Sequence, residues 1–172
     1  MIRKRAGPWT GRWRETTVTA IGLVVAALAV GGDGPAMALI NESSSLARGL
    51  YVRTGERVSP GAVVAVAQSE AARPYLERLS MPADLLLLKR VVAMGGDRVC
   101  AAGDGVQAPG RWAARLERDR RGAILPAWRE CRVLEPDELF LLGDTPGSFD
   151  SRYFGPVRRS EVVGVYREVL TW

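Results

Sequence analysis

The hydrophobic pattern divides the chain into a polar start, one long apolar run and a series of short alternating segments. Residues 1–15 are polar and basic, with Arg3, Lys4, Arg5, Arg12 and Arg14. From Thr16 to Gly32 there is no charged residue, and Ile21–Val30 is apolar apart from Gly22. Asp33, Gly34 and Pro35 interrupt the run before Ala36–Ile40 resumes it. A membrane-crossing helix needs about 20 mainly apolar residues, which the two pieces supply together. A basic tail ahead of such a run stays on the cytoplasmic side. The pattern predicts a cytoplasmic tail over residues 1–15, a transmembrane anchor or signal segment over 16–38, and an exported domain over 39–172. Ala36-Met37-Ala38 also has the small-x-small form of a signal-peptide cleavage site, so retention and removal of the segment both stand.

Beyond residue 40 the segments are short and read as strands. Gly49–Arg53 and Ala62–Ala67 are separated by Thr-Gly-Glu-Arg and Ser-Pro-Gly, which is turn chemistry. Ser69–Leu79 predicts a short helix ended near Pro82. Leu85–Val92 is a long apolar run, and Asp97–Cys100 follows a Gly-Gly turn. Arg132–Leu134, Glu138–Leu142 and Val162–Leu170 read as further strands. Between them, Gly103–Ala127 is rich in Arg, Ala and Gly with weak periodicity, and reads as a long excursion. Many short strands with Gly and Pro turns predict a mainly β architecture.

Composition narrows the chemistry. With 172 residues, 47% hydrophobic and 25% charged, the chain has enough apolar surface for one folded domain. Its net charge is +5, but the surplus sits in the N-terminal tail and in Arg111, Arg115, Arg118, Arg120 and Arg121. No aromatic-basic motif accompanies it, so nucleic acid is not an expected partner. There is no histidine. That excludes a Ser-His-Asp triad, a His-Cys dyad and every His-ligated metal site. Two cysteines alone cannot build a structural zinc site, so no metal is expected. Acyl-transfer chemistry here needs a lysine or a carboxylate as its base.

Three clusters carry candidate chemistry. The first, Asn41–Tyr51, contains Ser43, Ser44 and Ser45, which on composition alone form a polar linker. The second places Lys89 inside Leu85–Val92. Strand alternation puts Leu85, Leu87, Lys89 and Val91 on one face and Leu86, Leu88, Arg90 and Val92 on the other. Whichever face is buried carries a basic residue. A desolvated lysine loses its charge more readily and becomes a usable base; the alternative is an ammonium that reaches the strand edge and stays wet. In the third cluster, Gly143–Gly155, Asp150 and Arg152 stand close enough to shape a turn or pair with each other. Elsewhere, Cys100 and Cys131 are the only cysteines, and an even count in an exported domain favours a disulfide over two reduced thiols.

Taken together, the clusters resemble the bacterial type I signal peptidases, and specifically the TraF-type peptidases of conjugative plasmid transfer. Asn41, Ser43, Ser45, Leu46, Gly49, Leu50 and Tyr51 match the nucleophile motif, with Ala47 where proline is usual. Lys89, Arg90, Val91, Gly96 and Asp97 match the lysine motif, with Ala93 replacing a glycine. Gly143, Asp144, Ser148 and Asp150–Gly155 match the last one. The resemblance implies a signal peptidase-like antiparallel β-sheet catalytic domain behind one N-terminal membrane helix. It implies Ser45 as nucleophile and Lys89 as general base, with the Ser43 hydroxyl and the Ser45 backbone N–H as oxyanion hole. It gives Ser148 the task of hydrogen-bonding and aiming Lys89, and Asp150 and Arg152 that of bracing their turn. No metal or organic cofactor is required. The implied substrate is a pilin or other exported precursor, which the acyl-enzyme can release as a ring. The implied partners are the inner membrane and conjugative type IV secretion components, with the catalytic domain in the periplasm. Two rival readings stand: a general signal peptidase, and a non-catalytic tethered β-domain of a secretion apparatus.

Overall fold

The computed structural model describes residues 34–172. The tail expected over 1–15 and nearly all of the apolar segment expected over 16–38 lie outside the described residues. Among the described residues no helix is long and apolar enough to cross a membrane. The order of elements is β1 (Ala38–Asn41), β2 (Gly49–Thr54), β3 (Val63–Val66), α1 (Arg73–Arg78), β4 (Leu87–Met94), β5 (Arg98–Ala102), β6 (Gly105–Ala108), β7 (Arg111–Ala114), β8 (Cys131–Val133), β9 (Glu138–Leu142), α2 (Ser151–Phe154), β10 (Val157–Arg158) and β11 (Val162–Thr171). The described residues are therefore mainly β, and every strand pair is antiparallel.

The larger sheet runs β1-β2-β11-β3-β4-β9-β10. Its central strands are buried on both faces, which is why β9 reads Glu-Leu-Phe-Leu-Leu without a polar alternate. Leu139 and Leu141 point into a core shared with Val64, Val91, Val165 and Tyr75 of α1. Phe140 and Leu142 point into a second core with Val99, Val106 and Trp128. A third core, under the β2–β11–β3 region, holds Leu46, Tyr51, Val63, Leu88 and Tyr166. Burying each large aliphatic or aromatic side chain contributes about 1.5–3 kcal/mol.

A smaller four-stranded sheet, β7-β6-β5-β8, is the main departure from expectation. Two of its strands, β6 and β7, lie inside the stretch 103–127 that reads as an irregular excursion. Their inward residues include Ala108 and Ala113, too small to mark a buried face in the sequence. Two further elements depart from the reading. Ala38–Ile40, counted with the apolar run, belongs to β1, and the third cluster contains the helical turn α2. That turn ends at Gly155, whose φ is 79° and whose missing Cβ leaves room for Trp128 at 2.9 Å.

Cys100 and Cys131 are joined in a disulfide, as expected. They face each other across β5 and β8 and close a loop with a sequence separation of 31. On the chain-entropy argument, replacing both by Ala is expected to lower stability by about 3–4 kcal/mol. Urea unfolding of the double variant under non-reducing conditions measures it; an unchanged midpoint would remove the disulfide from the account of stability.

Candidate active site

Ser45 sits in the β1–β2 loop, and Lys89 in the middle of β4. In the sheet register Lys89 stands opposite Val64, on the face it shares with Leu87 and Val91. The residue is 4% exposed. Its Nζ donates to Ser45 Oγ at 2.9 Å, a contact between residues 44 positions apart. Burial pushes the Lys89 amine down from its ordinary 10.5 to about 8; the Asp150 carboxylate opposes this and the Arg152 guanidinium adds to it. Because those two charges are paired with each other, desolvation dominates.

Several contacts fix the loop that carries Ser45. Leu46 anchors it in the third core. The buried Asn41 carboxamide holds it from inside, donating to the carbonyls of Ser43, Leu46 and Ala47 at 3.1, 3.2 and 2.9 Å. Its Oδ1 accepts from the Ser43 hydroxyl at 2.8 Å and from the Ser43 backbone N–H at 3.2 Å. The Tyr51 hydroxyl donates to the Ala47 carbonyl at 2.8 Å. From the other side, the Asp144 backbone N–H donates to the Ser45 carbonyl at 2.6 Å, and Thr145 Oγ1 donates to the Ser44 carbonyl at 2.9 Å. Asp144 is itself gripped by Arg90 through two bonds of 2.9 and 2.7 Å. Asn41, Tyr51, Arg90 and Asp144 all fall within the matched motifs, yet no positioning role was assigned to them from sequence.

The two expected oxyanion donors are adjacent: the Ser45 backbone N–H points at Ser43 Oγ, 3.4 Å away. Asp150 and Arg152 form a buried ion pair at 2.7 Å. The Asp150 carboxylate also accepts from the Gly143 backbone N–H at 2.9 Å. Arg152 donates to the carbonyls of Thr145, Pro146 and Ser148 at 3.2, 3.2 and 3.0 Å, so the pair ties the whole loop 143–150 together. Ser148 comes to the same place, but its hydroxyl is buried without a hydrogen-bond partner among the described residues. The bond expected from Ser148 to Lys89 is therefore not formed; the Lys89 amine is engaged by Ser45 instead. Ser148 packs on Gly143, where a Cβ would lie 2.1 Å from its Oγ and 2.9 Å from the Ser45 carbonyl oxygen.

A buried hydroxyl bonded to a buried amine of lowered pKa, beside a fixed backbone N–H, is equipped for nucleophilic attack on a carbonyl. The family described as signal peptidase, peptidase S26, matches residues 11–172. The chain belongs to that family. Two relatives named plasmid transfer protein TraF, both from Escherichia coli, are similar to it over nearly their whole lengths. One is 35% identical, covering 92% of this chain and 97% of its own. The other is 33% identical, covering 87% and 91%. A probable conjugal transfer protein TraF of Sinorhizobium fredii is 34% identical over 58% of this chain and 54% of its own. Among solved structures, signal peptidase I of Enterococcus faecalis aligns with a TM-score of 0.41 and 22% identity, over 65% of this chain and 98% of that one.

Two outcomes follow from the packing. An amine whose folded pKa lies below its unfolded one binds fewer protons when folded, so its contribution to stability rises between about pH 8 and 10.5 and is least favourable below 8. The shift corresponds to about 3 kcal/mol. The stability of the parent relative to Lys89→Met is therefore expected to increase across that window in urea unfolding at stepped pH. A pH-independent difference would mean a solvated ammonium. Separately, Gly143→Ala forces Ser148 and Ser45 apart, and is expected to lower peptidase kcat/KM by about 10²-fold with the global fold intact by circular dichroism. Full activity would show that the loop yields freely.

Proposed function

We propose that the chain is a serine endopeptidase with a Ser45–Lys89 dyad that processes a pilin precursor during conjugative plasmid transfer. The observation that carries this reading is the 2.9 Å contact between Lys89 Nζ and Ser45 Oγ inside an apolar strand environment. The two TraF relatives support the conjugative setting. Once Lys89 has lost its proton, the same separation lets the Ser45 hydroxyl donate to the Nζ lone pair. Ser45 Oγ attacks the scissile carbonyl carbon as Nζ takes the hydroxyl proton. The Ser45 backbone N–H and the Ser43 hydroxyl, turned away from Asn41, donate to the oxyanion; such a donor contributes about 3–4 kcal/mol to lowering the barrier. The C–N bond breaks, the leaving amine takes the proton from Lys89, and an ester on Ser45 remains. Water, or the precursor's own N-terminal amine, then attacks that ester with Lys89 again as base. The first route gives a trimmed linear chain and the second a ring.

In this reading residues 16–38 tether the domain to the inner membrane and the catalytic face works in the periplasm. The Cys100–Cys131 disulfide suits such an oxidising compartment. No metal or organic cofactor takes part.

The working base is the unprotonated amine, so kcat/KM is expected to climb with pH through a midpoint near 8. Ser45→Ala and Lys89→Ala are each expected to lose at least about 10³-fold. The assay incubates the protein with a pilin precursor and, in parallel, with an ordinary secretory precursor, and weighs the products. A product lighter than the trimmed chain by one water reveals ring closure. Cleavage of the secretory precursor alone would favour a general signal peptidase. Undiminished cleavage by both variants would end the dyad reading.

A further inference from the structure

Beside the nucleophile loop lies a cavity of about 420 Å³ that the chemistry above does not use. Ser44 and Ser148 are both in its lining, which places it one residue along the chain from Ser45. Its floor is aromatic. The Phe149 ring lies 4.4 Å from Tyr75 and 5.6 Å from Tyr153, centroid to centroid. Leu79 and Leu125 complete the apolar walls.

The roof comes from the arginine-rich stretch that the sequence left without a role. Its backbone is held over the floor by the hydroxyls of the two floor tyrosines. Tyr153 Oη accepts from the Leu116 backbone N–H at 3.0 Å, and Tyr75 Oη donates to Asp119 Oδ2 at 3.0 Å. Asp119 Oδ1 then closes the turn by accepting from the backbone N–H groups of Arg121 and Ala123 at 2.8 and 2.9 Å. The tyrosines thus contribute to the cavity lining while their polar ends fix the height of the roof. Arg120 reaches over the rim: its Nη2 stands 4.0 Å from where a Cβ on Gly147 would lie. Arg120 and Arg121 are exposed, and among the described residues neither guanidinium is paired with a carboxylate.

We propose that this cavity is a substrate subsite, taking one large aromatic or branched aliphatic side chain, with an acidic substrate residue beside it held by Arg120 and Arg121. The proposal rests on the dyad reading above. Position supports it, because the cavity is lined by Ser44, the neighbour of Ser45 in the chain, and by Ser148 of the loop that holds the Ser45 carbonyl. Size supports it too: binding pockets span roughly 300–1,000 Å³, and this one is at the small end, suited to a side chain or two. The chemistry is complementary, because aromatic walls favour an apolar ring and free guanidinium forks favour a carboxylate.

The test uses the full chain in detergent micelles and a peptide library made by digesting a bacterial proteome, with cut positions read by mass spectrometry. Wild type is expected to enrich a large apolar residue at one fixed distance from the cut, with an acidic neighbour. Matched synthetic peptides then give kcat/KM for that residue against Ala, expected to differ by about 10²-fold. Leu116→Trp, which fills the cavity from an exposed roof position, is expected to cut that ratio by about tenfold or more. Arg120→Glu is expected to exchange the acidic preference for a basic one. Cleavage that depends on Ser45 but lacks this preference, or keeps it unchanged in both roof variants, overturns the subsite and leaves the dyad standing. Cleavage that persists in Ser45→Ala overturns the dyad, and the subsite with it.

Discussion

The Lys89 amine lies on the face of β4 between Leu87 and Val91, and its hydrogen-bond partner there is the Ser45 hydroxyl. Much of the surrounding architecture bears on how readily that amine gives up its charge; burial brings its pKa down to about 8. A carboxylate partner would restore the ammonium, whereas a hydroxyl satisfies nitrogen without doing so. A carboxylate is nonetheless close by, in Asp150, and its effect is offset because Arg152 is bound to it at 2.7 Å. Removing one member of that buried pair would leave the other charge uncompensated, so the two residues act as a unit. The same pair ties the loop 143–150 together, which in turn supports the Ser45 carbonyl through Asp144. The charge balance beside Lys89 and the support of the Ser45 loop thus come from the same side chains.

The smaller sheet takes part in this support. Arg111 of β7 donates to the Gly143 carbonyl at 3.3 Å, and Arg152 donates to the Ala114 carbonyl. Arg132 of β8 holds the buried Glu138 at the start of β9 with bonds of 2.6 and 2.9 Å. Arginines that look like surplus charge in the sequence therefore serve different ends: some join the two sheets, while Arg120 and Arg121 pair with no carboxylate among the described residues.

Much of the candidate site was legible because its determinants are local. The alternation of Leu85–Val92 put a basic residue on whichever face was buried, and the spacing of Asp150 and Arg152 allowed their pairing. Three things were not legible. The strands β6 and β7 are four residues each, and their buried faces rest partly on Ala108 and Ala113, so burial there leaves almost no hydrophobic signal. The helical turn α2 depends on Asp150 capping the Arg152 N–H, a role hidden behind its ion pair. The state of the Ser148 hydroxyl depends on how the 143–150 loop packs against Gly143, which no motif encodes. Asn41 shows the converse: its place in the motif was clear, but only the three carbonyls around it explain why an amide, with two N–H donors and an acceptor, belongs there.

The order of strands has a consequence for timing. The Ser45 loop leads into β2, Lys89 is on β4, and the ladder route between them in the sheet runs through β11 and then β3. β11 follows every other element in the chain and pairs with β3 over Val162–Tyr166 and with β2 over Val165–Thr171. During synthesis the two halves of the site lack that bridge until residues 162–171 have emerged and threaded between them. Until then the two are joined only by way of the loop 143–150, whose Asp144 bonds both the Ser45 carbonyl and Arg90 of β4. The last strand to leave the ribosome is thus the one that closes the sheet between Ser45 and Lys89.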